Sequence, residues 1–366
     1  MAEAARWKCH ASRDELATVT WQRVNEQASV LAMARTVSLS QYVTGYAQSA
    51  SRTILKRSMV RHETAQSGSW FIEHFPTSPT KRTMEHDEKN LVFTESIDGS
   101  RAALAGKITT LVDRENLANG SGTLIQILGR VFICTAGHVI PSNPTGRIWP
   151  LLRQIRHEGD GFPAYASFGR HPELDVGYLE IHPDAIEKYF GGDTFTTIDH
   201  IAVRGSGRPQ HSVLVVGAPA AHREITRDSR TEMTYKANVM TYWTVPLSVS
   251  EWPVVPVVNR PPDESVDIFL NYPKDEAISA DGRGPVDLPN PEGVSGGGIW
   301  DQEFNAGRVW DPSAIKLVGI QVAWNEQERY LRGIQIRHWL RLLYRDIPSL
   351  RPVLQERFGP DVVWDQ

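Results

Sequence analysis

Short apolar runs punctuate the chain from about residue 120 onward. Residues 123–128 (Thr-Leu-Ile-Gln-Ile-Leu) and 131–134 (Val-Phe-Ile-Cys) form the first pair. Gly129-Arg130 lies between them, and a Gly-X pair suits a two-residue hairpin turn. Similar runs recur at 212–216, 266–270, 316–322 and 331–336. Runs this short, separated by loops, predict an all-β core of sandwich or barrel type rather than βαβ units. Two stretches have helical period instead. Ser12 and Glu15 fit a capping box, and Trp21, Val24, Ala28 and Leu31 follow at helical spacing, which predicts a helix over 13–35. Near the other end, Ile336, Trp339, Leu340, Leu343, Tyr344 and Ile347 make one apolar face of a helix that Pro348 stops. Residues 41–90 are polar and weakly periodic. Pro and charge dominate 253–264 and 273–293, which read as long surface loops.

At 366 residues the chain exceeds one ordinary domain, and about 150 residues per domain suggests two or three units. Forty per cent hydrophobic residues, with eleven Trp, suffice for sizeable cores. The net charge of −4 and the lack of a basic stripe argue against nucleic acid as a partner. Arg52, Lys56, Arg57 and Arg61 cluster, but such a cluster reads as a solvated face. No segment approaches the roughly 20 apolar residues of a membrane span, and the N-terminus lacks a signal-peptide apolar stretch. Cys9 and Cys134 cannot form a disulfide framework, and Cys134 sits inside an apolar run. A soluble, cytoplasmic protein in a reducing compartment is expected.

Two short motifs carry chemistry. Thr135-Ala136-Gly137-His138-Val139 directly follows a strand-like run, and Gly293-Val294-Ser295-Gly296-Gly297-Gly298 precedes another. A serine hydroxyl attacking a carbonyl generates an oxyanion, which backbone N–H groups close to the nucleophile must meet. Glycines flanking Ser295 let the chain turn so that the Gly293 and Ser295 amides converge. Serine needs a base, and the base needs an orienting carboxylate. His138 is the natural base. Asp175 opens the apolar run Val176 to Leu179, where a carboxylate can be held against a core; Asp160 and Glu173 are its nearest substitutes. Cys134 sits inside a strand and reads as core. His171, His182 and His200 have no metal-ligand spacing, so neither a metal nor a cofactor is expected.

Thr-Ala-Gly-His, Asp-Val-Gly-Tyr-Leu and Gly-Val-Ser-Gly-Gly-Gly resemble the three catalytic blocks of chymotrypsin/trypsin-like serine peptidases, especially disulfide-poor bacterial members. The order His, Asp, Ser matches that family. Gly120-Ser121-Gly122-Thr123 resembles the opening strand of its first barrel, and Val216-Gly217-Ala218-Pro219 an early strand end of its second. The resemblance implies two antiparallel six-stranded β-barrels with a C-terminal helix and the active site between the barrels. It covers about 96–347 and implies a first barrel over 96–205 with His138 and Asp175 and a second over 206–350 with Ser295 and the helix. Outside it lie a tail over 351–366 and an N-terminal, partly helical extension over 1–95, whose stretch from Gln41 to about Asn90 reads as a small helical domain, a segment packed on the main body, or partly disordered chain. The implied activity is a serine endopeptidase acting on protein or peptide substrates through His138, Asp175 and Ser295, with Gly293 and Ser295 amides as oxyanion hole. Val322, Ala323 and Trp324 would form the edge that takes the substrate, and 1–95 is a candidate region for a regulatory partner. A gapless count puts the specificity position at Pro289, in an irregular loop. Two departures stand out. The 120-residue interval from Asp175 to Ser295 is long for the family, so loops at 220–230 or 252–293 carry an insertion. Val294 stands where zymogen-type members carry Asp. The rival readings are an inactive binding module on the same fold and an esterase-like hydrolase.

Overall fold

The computed structural model describes residues 71–73 and, from 95 to 364, all but 105, 114–118, 146, 152–164, 190–194, 205–210, 228–232, 254–259, 280–284 and 304–310. The helix expected over 13–35, Cys9 and the alternative carboxylate Asp160 lie outside the described residues.

The core is all-β and consists of two curled antiparallel half-barrels. The first contains β2 (Ile108–Asp113), β3 (Asn119–Ile127), β4 (Arg130–Ala136), β5 (Ile148–Leu151), β6 (Tyr165–Arg170) and β7 (Val176–Ile181), in the order β5-β2-β3-β4-β7-β6. The two-residue β8 (Thr196–Thr197) pairs parallel with β3. Tyr165 Oη donates to Ile148 O at 3.0 Å, tying β6 to β5 across the open side.

The second half-barrel has the six-strand path β13 (Asp267–Asn271), β18 (Tyr330–Gln335), β17 (Lys316–Asn325), β16 (Gly298–Asp301), β9 (Val213–Gly217) and β12 (Met240–Thr244). Chain continuing from β12 returns to β13, with Leu247 N–H donating to Phe269 O at 2.8 Å. The sheet extends beyond β12 through β1 (Phe71–Glu73), β14 (Ala277–Ser279) and β15 (Pro285–Val286). The insertion that the long Asp175–Ser295 interval implies includes a separate hairpin, β10 (Arg223–Arg227) with β11 (Met233–Ala237).

The apolar runs are continuous, not alternating, because both faces of each wall are buried. Val131 and Ile133 point into the first barrel's own core, with Leu111, Leu124 and Leu179. Phe132 and Cys134, one residue out of phase, belong to a second cluster that also holds Leu214, Val216, Trp300 and Leu317 from the other barrel. Val213 and Val215 turn back into the second barrel. Each fully buried aliphatic contributes about 1.5–3 kcal/mol, so the interface between barrels is as much a core as either interior. The C-terminal helix α3 (Ile336–Asp346) bridges them: Trp339 is fully buried, and its Nε1–H donates to Gly177 O at 3.2 Å. Two shorter helices are α1 (residues 95–104) and α2 (Pro183–Tyr189).

Three local expectations need correction. The first hairpin turns at Leu128-Gly129, with φ of 52° and 78°, and Arg130 belongs to β4 opposite Ile127. A two-residue turn with both φ positive wants glycine second, and Arg130 Nε is drawn into the sheet by Glu180 Oε1 at 2.6 Å. The segment 273–293 is not all surface loop. Ala277 and Leu288 are 1% exposed and anchor β14 and its neighbourhood in the second barrel's core. Residues 351–366 begin with helix α4 (Arg351–Phe358), whose Leu354 and Phe358 pack into the inter-barrel cluster.

Helix α3 also holds a buried imidazole. His338 Nε2 lies 2.9 Å from Ser265 O. Burial first, then Arg341, Arg337 and Arg260, hold its pKa down at about 4, against the opposing pull of the Ser265 hydrogen bond. The folded value lies below the unfolded one of about 6.5, so stability from neutral His338 is complete above that pH and is lost as pH falls toward 4. The loss should be roughly 3 kcal/mol, order of magnitude. Denaturant titrations between pH 7 and 4 should show a shallower stability decline for His338→Gln than for wild type; equal slopes would refute the assignment.

Candidate active site at the junction of the barrels

His138 sits in a 3₁₀ turn, Gly137–Val139, at the end of β4, and Asp175 immediately precedes β7, the neighbour of β4. Adjacent antiparallel strands therefore bring together residues 37 apart in sequence. Asp175 holds the turn by three acceptors. Its carbonyl accepts Gly137 N–H at 2.9 Å, Oδ1 accepts His138 N–H at 2.7 Å, and Oδ2 lies 2.8 Å from His138 Nδ1. An ionised carboxylate only accepts, so Nδ1 carries the proton and Nε2 is left as acceptor. Asp175 adopts φ 56°, a left-handed conformation that Asp tolerates better than most residues. Glu173, the other carboxylate nearby, accepts nothing from His138; its N–H bonds His171 Nδ1 at 3.2 Å.

Ser295 arrives from the second barrel, on the tight segment before β16. Gly293 and Gly296 have φ of 88° and 92°, and two successive turns close with Val294 N–H on Pro291 O at 2.9 Å and Gly297 N–H on Val294 O at 2.7 Å. Glycine is required at 296 on a second ground: a Cβ there would lie 2.0 Å from Ser121 O. The His138 turn and the Ser295 loop meet at Gly120, where a Cβ would lie 2.5 Å from Val139 Cγ2 and 2.9 Å from Ser295 O. Ser295 Oγ is turned to Val322 O, at 3.4 Å, and makes no hydrogen bond to His138. Among the described residues, the Gly293 and Ser295 amides have no acceptor. The Glu292 carbonyl just before them is held by Ala220 N–H at 2.6 Å. Val294 is fully buried in the second barrel's core.

Beside Ser295, β17 outruns β16. Their pairing ends at Gly298↔Ile320, whereas β17 and β18 stay paired to Asn325↔Tyr330. Among the described residues, 322–325 thus have one flank without a partner strand. A bulge between Gln321 and Ala323 sits at this point, and Gln321 Nε2 spans it to Ala323 O at 2.9 Å. Trp324 is half-buried against the second barrel's core. A groove alongside is lined by Leu174, Asp175, Val322, Ala323 and Ile334, with Arg260 and Arg332 at its wall. Both guanidiniums bond the buried Asp267 carboxylate, at 2.6 and 2.8 Å. Pro289 lies in irregular chain, its carbonyl accepting Tyr272 Oη at 2.6 Å.

One residue at this junction escaped the sequence reading. Ser121, on β3 of the first barrel, is fully buried and bonds the Ser295 loop of the second. Gly120-Ser121-Gly122-Thr123 signals a strand and nothing more, because the partners of Ser121 Oγ lie 97 and 172 residues away.

No protein-family profile and no curated protein sequence matches this chain. Solved structures do match. The serine endoprotease from Yersinia pestis superposes with a TM-score of 0.41 at 14% identity, over 69% of this chain and 66% of its own, just under two thirds of its length. The HtrA-type protease AlgW, solved with a tripeptide, gives 0.42 at 16% identity over 72% of this chain and 71% of that one. Deg5 gives 0.39 at 15% identity over 74% and 97%. At these distances the atoms around Ser295 carry the chemistry, and the likeness does not.

Proposed function

We propose that the chain is a serine endopeptidase in which His138, Asp175 and Ser295 act as a triad. The observation that carries this reading is the 2.8 Å His138–Asp175 bond at the same junction as Ser295, whose own amide and that of Gly293 lack acceptors among the described residues. An extended peptide is the natural substrate, because the free flank of 322–325 offers the lane that β16 leaves. A substrate N–H taking Val322 O would release the Ser295 hydroxyl from it. The hydroxyl then turns to His138 Nε2, gives up its proton, and Oγ attacks the scissile carbonyl. The oxyanion is met by the Gly293 and Ser295 amides. His138 returns the proton to the leaving amine, and the acyl group on Oγ is then hydrolysed by a water that His138 deprotonates. Asp175 fixes the tautomer and stabilises the imidazolium. A reducing, cytoplasmic setting belongs to the same proposal, because two cysteines give no disulfide framework.

The rival reading, an inactive module, is favoured by one observation, the bond from Ser295 Oγ to Val322 O. A fluorophosphonate probe separates the two. Full-length protein with its N-terminus verified by intact mass should take the probe on Ser295 without chain cleavage. Trypsin-type maturation buries a new amine against an Asp before the serine; here that residue is the apolar Val294, and an unpaired buried charge costs about 3–5 kcal/mol. Absence of labelling would favour the inactive module. Labelling only after cleavage near residues 90–105 would refute activity without maturation.

A further inference from the structure

The oxyanion loop needs a substitute for the ion pair that Val294 cannot make. The first barrel supplies one. Ser121 Oγ–H donates to Gly293 O at 2.9 Å, and the same Oγ accepts Ala218 N–H at 2.8 Å. Its backbone N–H donates to Ser295 O at 2.7 Å, and its own carbonyl is fixed by Thr135 Oγ1 at 2.7 Å. Ser121 is fully buried, so its hydroxyl is shielded from bulk solvent. The approach is close enough that a Cβ at Gly217 would lie 3.0 Å from Ser121 Oγ and 2.7 Å from Val294 Cγ1.

The position of that bond matters. The Gly293 carbonyl belongs to the peptide plane between Gly293 and Val294, which lies along the chain between the two amides proposed to hold the oxyanion. The two flanking peptide planes, which carry those amides, pivot from the Cα atoms at its ends, so fixing this plane fixes the frame from which both amides are aimed. Its N–H side is pinned by Pro291 O and its C=O side by Ser121 Oγ. Resting on the serine-peptidase reading, we propose that Ser121 is a positioning residue: it locks the Gly293–Val294 peptide from the opposite barrel and so makes the oxyanion geometry depend on how the barrels dock. Ser121 touches no reacting atom. It acts through Gly293 and Ser295.

The test compares full-length wild type, Ser121→Ala and Ser121→Thr, with Ser295→Ala as the dead reference. Removing one direct oxyanion donor costs about 10²–10³ in kcat, so loss of a group that only aims the donors should cost about 10- to 100-fold. KM should change little. A peptide boronate, whose tetrahedral adduct on Ser295 needs the hole, should lose affinity in Ser121→Ala by the same factor as kcat/KM, while a cleavage-product peptide binds as before. Threonine keeps the hydroxyl and should recover most of the loss. Amide exchange over 293–297 should quicken in the alanine variant, a readout that needs no turnover. Wild-type kcat and boronate affinity in Ser121→Ala, beside an inactive Ser295→Ala, would overturn the inference and leave the peptidase reading standing. Parallel losses in product and boronate binding, without recovery by threonine, would make Ser121 a packing residue and also overturn it. Wild type that takes neither boronate nor fluorophosphonate on Ser295 would overturn the peptidase reading and this inference together.

Discussion

Replacing Ser295 or His138 with alanine is expected to lower kcat by about 10⁶-fold, and replacing both is expected to cost little more. The reason is structural. Among the described residues, Ser295 Oγ has no base other than His138 at the junction, and the Nε2 of His138 has no task without a hydroxyl to deprotonate. Nδ1 is already committed to Asp175 at 2.8 Å. The two residues therefore fail as a unit. Single-turnover rates on an activated peptide ester would resolve all three variants. A double mutant multiplicatively worse than either single would mean that the residues act separately.

Asp175→Asn is expected to cost about 10⁴-fold with the fold intact. The size follows from how Asp175 is used. Its Oδ1 accepts the His138 backbone N–H, which can only donate, and Oδ2 faces Nδ1. Asparagine has one oxygen for these two places. If the oxygen stays on the backbone N–H, the NH₂ group faces Nδ1 and forces it to become the acceptor. The proton then sits on Nε2, where it blocks uptake of the Ser295 proton. Asn also tolerates the φ of 56°, so little strain is added. Near wild-type rates in this variant, with an unchanged melting temperature, would move the orienting role to another carboxylate.

The parts of this arrangement that were readable in the sequence are those encoded locally. Residues 131–134 and 213–216 announced strands through unbroken apolar character, and both-face burial is the reason they are unbroken. His138 and Asp175 were readable because each adjoins such a run, and neighbouring strands β4 and β7 then close the gap between them. The first turn differs from the sequence expectation by one residue because Leu128 takes a positive φ, which makes Gly129 the second turn residue and not the first. Strands β1 and β14 are three residues each, too short for a period to register, and are held by pairing with one another, β1 also with β12 and β14 with β15. Ser121 was invisible as a contact because its partners lie 97 and 172 residues away, and one hydroxyl in a glycine-flanked strand carries no sign of what it will meet. The contact of Ser295 Oγ with Val322 O likewise joins residues 27 apart, at a bulge that no local pattern encodes.

Mapping cleaved termini by mass spectrometry, after wild type and Ser295→Ala are each incubated with the same protein mixture, tests the peptidase assignment most directly. The account predicts new internal N-termini with wild type that are absent with Ser295→Ala. Identical sets of termini from both proteins would contradict it, as would no termini from a wild type that still hydrolyses a simple ester.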